Sequence, residues 1–169
     1  MKKIFAKLFV LALCGTLVLG MCACNGNTSD ATEVGESGGI SYSAKYNGQT
    51  VRLGKKADSV LDKLGEPVSE LNTGNCGGLG ETTRYDYKDI TLVVVDYENG
   101  DELIDQIVLN TDGAETAEGI YIGSSEADVI KAYGEGTLTG KTRIYREDGK
   151  ELAIGIENGT VSSIVYRCI

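Results

Sequence analysis

The side chains able to do chemistry in this chain of 169 residues are cysteines, carboxylates and tyrosines, because it contains no histidine. Losing imidazole removes the usual general base and the commonest transition-metal ligand. A Ser-His-Asp or Cys-His hydrolase is therefore excluded. Cys76 and Cys168 are the cysteines of the patterned part of the sequence, and no Cys-x-x-Cys pair accompanies them. That spacing suits a structural role rather than redox catalysis. Asp96, Glu98, Asp101, Glu102 and Asp105 crowd one turn. A calcium loop would need a third ligand position and a distant Glu that this stretch lacks, so it reads as a solvated turn. The loop Thr73 to Gly80 is rich in glycine, but Glu81 follows where a phosphate cradle would place Lys. We expect no metal, no cofactor and no enzymatic activity.

Tyrosine is the remaining candidate. Tyr85, Tyr87, Tyr97 and Tyr145 lie in strand-like stretches. Aromatic side chains gathered on an open sheet face would suit a protein partner, so these four form the expected binding face. Sixteen Lys and Arg against 25 Asp and Glu leave a formal charge of −9. That balance argues against a nucleic-acid partner, which needs clustered cations.

Lys2, Lys3 and Lys7 precede an uncharged stretch, Leu8 to Met21, of 14 residues. Crossing a bilayer as a helix takes about 20 residues, so the stretch fits a secretory signal instead. It ends in Leu19-Gly20-Met21-Cys22-Ala23-Cys24. This resembles the lipobox of bacterial lipoproteins. The resemblance implies lipidation of Cys24, which follows the small Ala23, with Cys22 as the alternative. It also implies a palmitate-type anchor at the extracytoplasmic face of the cell membrane and a partner in the envelope or outside the cell. Residues 24–39 are Gly- and Ser-rich with a single large aliphatic, Val34, and read as a flexible linker. In an oxidising space Cys76 and Cys168 would form a disulfide across 168 − 76 = 92 residues.

Residues 40–169 carry an internal repeat, with units at about 46–110 and 116–169. Gly54 and Gly65 are 11 apart, as are Gly123 and Gly134, and the offset between the pairs is 123 − 54 = 69. Between the glycines Ala57, Val60, Leu61 and Leu64 share one helical face, and Val129, Ile130 and Tyr133 do so in the second unit. Ser124 or Ser125 can cap the second helix, and Gly65 and Gly134 stop the two. Strands are predicted at Thr83–Tyr87, Ile90–Tyr97, Leu103–Leu109, Thr142–Arg146, Glu151–Ile156 and Val161–Tyr166. Turns are expected at Asn99-Gly100, Asp148-Gly149 and Asn158-Gly159. The expected fold class is α+β: two tandem repeats of a short helix plus an antiparallel meander, with the helices on one face of the sheet.

The stretches Gly54 to Pro67 with Tyr85 to Leu109, and Gly123 to Gly136 with Tyr145 to Tyr166, resemble two families. One is the SmpA/OmlA (BamE) type of outer-membrane assembly lipoprotein, and the other the duplicated β-lactamase inhibitory protein fold. The resemblance covers about three quarters of the chain and implies non-catalytic protein binding through the open face of the sheet. The BamE likeness implies, as an alternative, an envelope-assembly factor. The chain has no Trp, so inhibition of a β-lactamase is not carried over.

Overall fold

Tight turns at three Asx-Gly pairs set the hairpins. Asn47-Gly48 (φ 47° and 72°), Asp148-Gly149 (48° and 69°) and Asn158-Gly159 (53° and 77°) all hold positive φ at both central residues, the turn whose twist matches that of the flanking strands. They join β1 (Ser43–Tyr46) to β2 (Gln49–Arg52), β9 (Thr142–Glu147) to β10 (Lys150–Glu157), and β10 to β11 (Thr160–Cys168). Asn99-Gly100 differs from the expectation. Only Gly100 takes positive φ (80°), and the turn is a longer one in which Tyr97 N–H donates to the Asp101 carbonyl at 3.1 Å. It connects β5 (Ile90–Asp96) to β6 (Glu102–Leu109).

This computed structural model describes residues 39–75, 80–97 and 99–169, all within the unit Ser37–Ile169. The remaining elements are α1 (Asp58–Leu64), β3 (Ser69–Gly74), β4 (Glu81–Asp86), β7 (Glu115–Thr116), α2 (Glu126–Tyr133) and β8 (Thr137–Thr139). The large sheet is antiparallel with strand order β3-β4-β5-β6-β11-β10-β9-β8, and a small sheet has the order β2-β1-β7. The signal stretch, Cys22, Cys24, most of the linker, Cys76 and Glu98 lie outside the described residues.

The α+β expectation is corrected. Among the described residues strands make up 52% and helix 12%, in two helices, so the architecture is mainly β, one eight-stranded sheet and one three-stranded sheet, and not a tandem helix-plus-meander arrangement. The predicted strands correspond to β4, β5, β6, β9, β10 and β11. The edge strands β3 and β8, and the small sheet, lie outside the predicted strands. Their residues are mostly polar and their pairing is tertiary, so periodicity in a short window carries little of them.

The helices are short for a physical reason. Ser125 caps α2, its hydroxyl accepting from Asp128 N–H at 3.1 Å, whereas the side chain of Ala57 offers α1 no such bond. Gly65 (φ 75°, ψ −160°) and Gly134 (φ 75°, ψ −170°) end them in a region that only glycine occupies readily. Seven and eight residues cannot hold a helix alone in water, so each is tied to a strand. Gly54 N–H donates to the Ile104 carbonyl, Ile104 N–H to Lys55, and Ala57 N–H to Glu102. Gly123, Ser124 and Glu126, each 69 further on than Gly54, Lys55 and Ala57, do the same: Gly123 N–H donates to the Val161 carbonyl, Val161 N–H to Ser124, and Glu126 N–H to Gly159.

One core results. The row Tyr85–Leu92–Ile107–Tyr166–Leu152–Tyr145 runs in register across six strands on one face of the large sheet. Ala44, Val51 and Leu53 near the small sheet, Val60 of α1 and Val129 of α2 belong to the same buried cluster. Tyr166 is fully buried, and its hydroxyl donates to the Ser43 carbonyl at 3.1 Å, tying β11 to β1.

Candidate functional site

Side chains alternate along a strand, so the residues between those core positions point away from the covering layer. They form the row Leu71–Arg84–Val93–Gln106–Arg167–Glu151–Arg146. Beside it runs Asp86–Thr91–Val108–Val165–Ala153–Ile144–Thr137. Val93, Val108, Val165, Ala153 and Ile144 are half-buried, and Leu71 is 55% exposed. This open face therefore combines an aliphatic stripe with arginine heads. Its charges among these two rows are Arg84, Arg146 and Arg167 against Asp86 and Glu151, a net +1 on a chain of −9.

Glu151 stands on β10, toward the β8 end of this face. The residue is fully buried although it stands on the open side. Arg146 Nε and Nη2 both reach its Oε2 at 2.6 Å, and Arg167 pairs with Oε1. The two guanidinium groups cover the carboxylate and hold each other's positions through it. Arg84 lies further along the row and pairs with Asp86 at 2.8 Å; Asp86 stays below the usual carboxylate range, because hydrogen bonds from Thr91 and Arg84 outweigh its burial.

The four expected tyrosines do not share this face. Tyr85 and Tyr145 stand in the core row, and Tyr87 is buried on the same side, its ring 6.2 Å from that of Tyr46. Burial is the main cause that raises the hydroxyl pKa of Tyr85, Tyr87 and Tyr145. Alternation could have shown this: Tyr85 and Tyr87 have Arg84 and Asp86 between them, and two charged residues mark the wet face. Tyr97 instead sits by Asp105 and Cys168, with burial the first cause and Asp105 the second that raises its hydroxyl pKa.

Cys168 has no disulfide partner among the described residues. Burial, then Asp105, raises its pKa. Its expected partner, Cys76, is outside the described residues, as are both lipidation candidates. Among the described residues no group of His, Cys, Asp or Glu is placed to hold a metal, and no helix is long and apolar enough to cross a membrane.

Two concavities flank the helices. One of 360 Å³ beside α2 is lined by Glu118, Tyr121, Asp128 and Lys131, so its charges partly cancel. The other, of 310 Å³, lies beside α1 and includes Tyr85 and Tyr87. No family model matches this chain, and neither a curated protein nor a solved structure matches it.

Proposed function

We propose that this chain is a lipid-anchored, extracytoplasmic, non-catalytic module that binds a protein through the open face of its large sheet. The observation that supports the reading is that face itself. It presents half-buried aliphatic side chains next to arginines already held in place by Glu151. Interfaces of this kind favour arginine and apolar contact at the centre with polar groups around it. Pre-ordered arginines lose less side-chain entropy on docking than free ones. The lipobox-like Leu19 to Cys24 supports the anchor, and bacterial lipid modification supplies the multiple chains that stable tethering takes.

Two measurements test this. Growth with a labelled fatty acid should label the wild-type chain and not Cys24→Ala; loss of label only in Cys22→Ala would move the anchor to Cys22, and a wild-type chain without label would dismiss it. Photo-crosslinkers at Gln106 in the intact envelope should trap a discrete adduct. Leu71→Asp combined with Val108→Thr, both outside the core cluster, should reduce that adduct about tenfold or more, given ~1–2 kcal/mol from a central apolar contact. An undiminished adduct, with the fold intact by circular dichroism, would sink the open face as the docking surface.

A further inference from the structure

The two ends of the large sheet treat one feature differently. Each helix is followed by Gly-Glu: Gly134-Glu135-Gly136 after α2 and Gly65-Glu66-Pro67 after α1. Beside α2 that place is filled from within. Arg143 Nη1 donates to the Glu135 carbonyl at 2.6 Å and to its carboxylate at 3.1 Å, and Nη2 donates to Glu126 at 2.6 Å. Tyr145 donates its hydroxyl to the Gly134 carbonyl at 2.9 Å. Its ring lies so close to Gly136 that a Cβ there would meet it at 2.5 Å.

Arg143 ends a core-side row that runs Ile154–Ile164–Leu109–Ile90 and reaches Tyr87 at the other side of the sheet. Counted from the bulges at Val93/Val94 and Gly155/Ile156, however, Tyr85, paired with Leu92, stands beside α1 where Arg143, paired with Ile154, stands beside α2, and Tyr87 stands where Tyr145 does. The result is an opening of 310 Å³ instead of a filled site, walled by Leu61, Pro67, Tyr85 and Tyr87 and rimmed by Asp62, Glu66 and Glu70. None of the three carboxylates forms an ion pair with a described residue. Tyr87 is only 6% exposed. Its hydroxyl has no hydrogen-bond partner among the described residues, although its ring lines the groove. Glu66 and Glu70 add to the burial that raises the Tyr87 pKa, which reports a negative field there.

We propose that this groove receives the guanidinium of an arginine presented by a partner protein, the role that Arg143 fills internally beside α2. Carboxylates at the rim supply charge-assisted acceptors, and the half-buried ring of Tyr85 offers a face for a planar cation. The volume is at the lower end for a ligand site and suits one side chain. The groove is separate from the open face, and the two can fail independently.

The test uses the full lipidated chain in detergent with ¹³C-labelled tyrosine. The probe is the blocked tripeptide acetyl-Ala-Arg-Ala-amide, with the neutral citrulline isostere as control. The arginine peptide should move the ring signals of Tyr85 and Tyr87 with millimolar affinity, and the citrulline peptide should not. Glu66→Gln, at an exposed position that leaves folding intact, should weaken binding about two- to fivefold, the range for a solvent-accessible ion pair. Tyr85→Arg, at the half-buried position equivalent to Arg143, should fill the groove and abolish binding. Val108→Thr on the open face should leave it unchanged. Signals of Tyr85 and Tyr87 that stay still, an equal response to citrulline, or an unaltered affinity in Glu66→Gln would overturn the assignment.

Discussion

The Arg146–Glu151–Arg167 cluster makes a quantitative prediction about stability. Glu151 has no exposed surface, while the side chains of Arg146 and Arg167 are 57% and 51% exposed. Removing one arginine leaves the carboxylate paired with the other. The lost pair is half in water, so Arg146→Ala and Arg167→Ala should each cost about 1 kcal/mol or less. Removing both leaves a buried carboxylate with no cation, which typically costs about 3–5 kcal/mol. The double variant should therefore exceed the sum of the singles by about 1–3 kcal/mol. With a urea slope of about 1–3 kcal/mol per molar, the double variant's midpoint should fall by about 1 M or more. Adding Glu151→Leu to the double variant removes the stranded charge and should recover most of the loss. Urea denaturation of the wild type and the four variants, followed by far-UV circular dichroism, reads all these values. A double variant equal to the sum of its singles within about 0.5 kcal/mol, or no recovery with Glu151→Leu, would refute the cluster as a coupled unit.

Other expectations concern the covered side of the sheet and its end. Burial raises the Asp105 carboxyl more than the hydrogen bonds from Cys168 and Tyr97 lower it, so in the folded state Asp105 releases its proton at higher pH than in the unfolded chain. Its penalty is absent below the unfolded carboxylate range and grows as pH rises to the folded value. Asp105→Asn should therefore gain stability relative to wild type at pH 7 but not at pH 3, by urea titration at both; equal differences at the two pH values would contradict this. Tyr145→Phe removes the 2.9 Å bond to the Gly134 carbonyl and should cost about 1 kcal/mol, read from the denaturation midpoint; an unchanged midpoint would show that water replaces the bond. The raised thiol of Cys168 should react with iodoacetamide more slowly than a free cysteine at neutral pH, with its rate midpoint shifted upward. Mass spectrometry of the C-terminal peptide measures this, and a rate like that of free cysteine would count against burial there.

Arginine placement shows how sequence and tertiary structure divide the work. Glu126 falls where Ala57 would stand in the other helix, a difference visible in the sequence alone. Its meaning appears only when β9 brings Arg143 within 2.6 Å of it. The tyrosines teach the opposite lesson: their alternation with Arg84 and Asp86 already held the answer, and the strand preference of tyrosine alone did not.

Local order in this chain was settled by the sequence itself. Asx-Gly pairs at Asp148 and Asn158 dictate reversals because few other residues accept positive φ. Apolar spacing identifies the helix faces of Val60 and Val129, and six strands follow from alternation and aliphatic runs. Tertiary structure alone decided that β6 pairs with β11 and that β1 pairs with the distant β7. Those contacts join segments far apart in the chain. Their stability comes from burying one shared apolar layer, a quantity no short window of sequence contains.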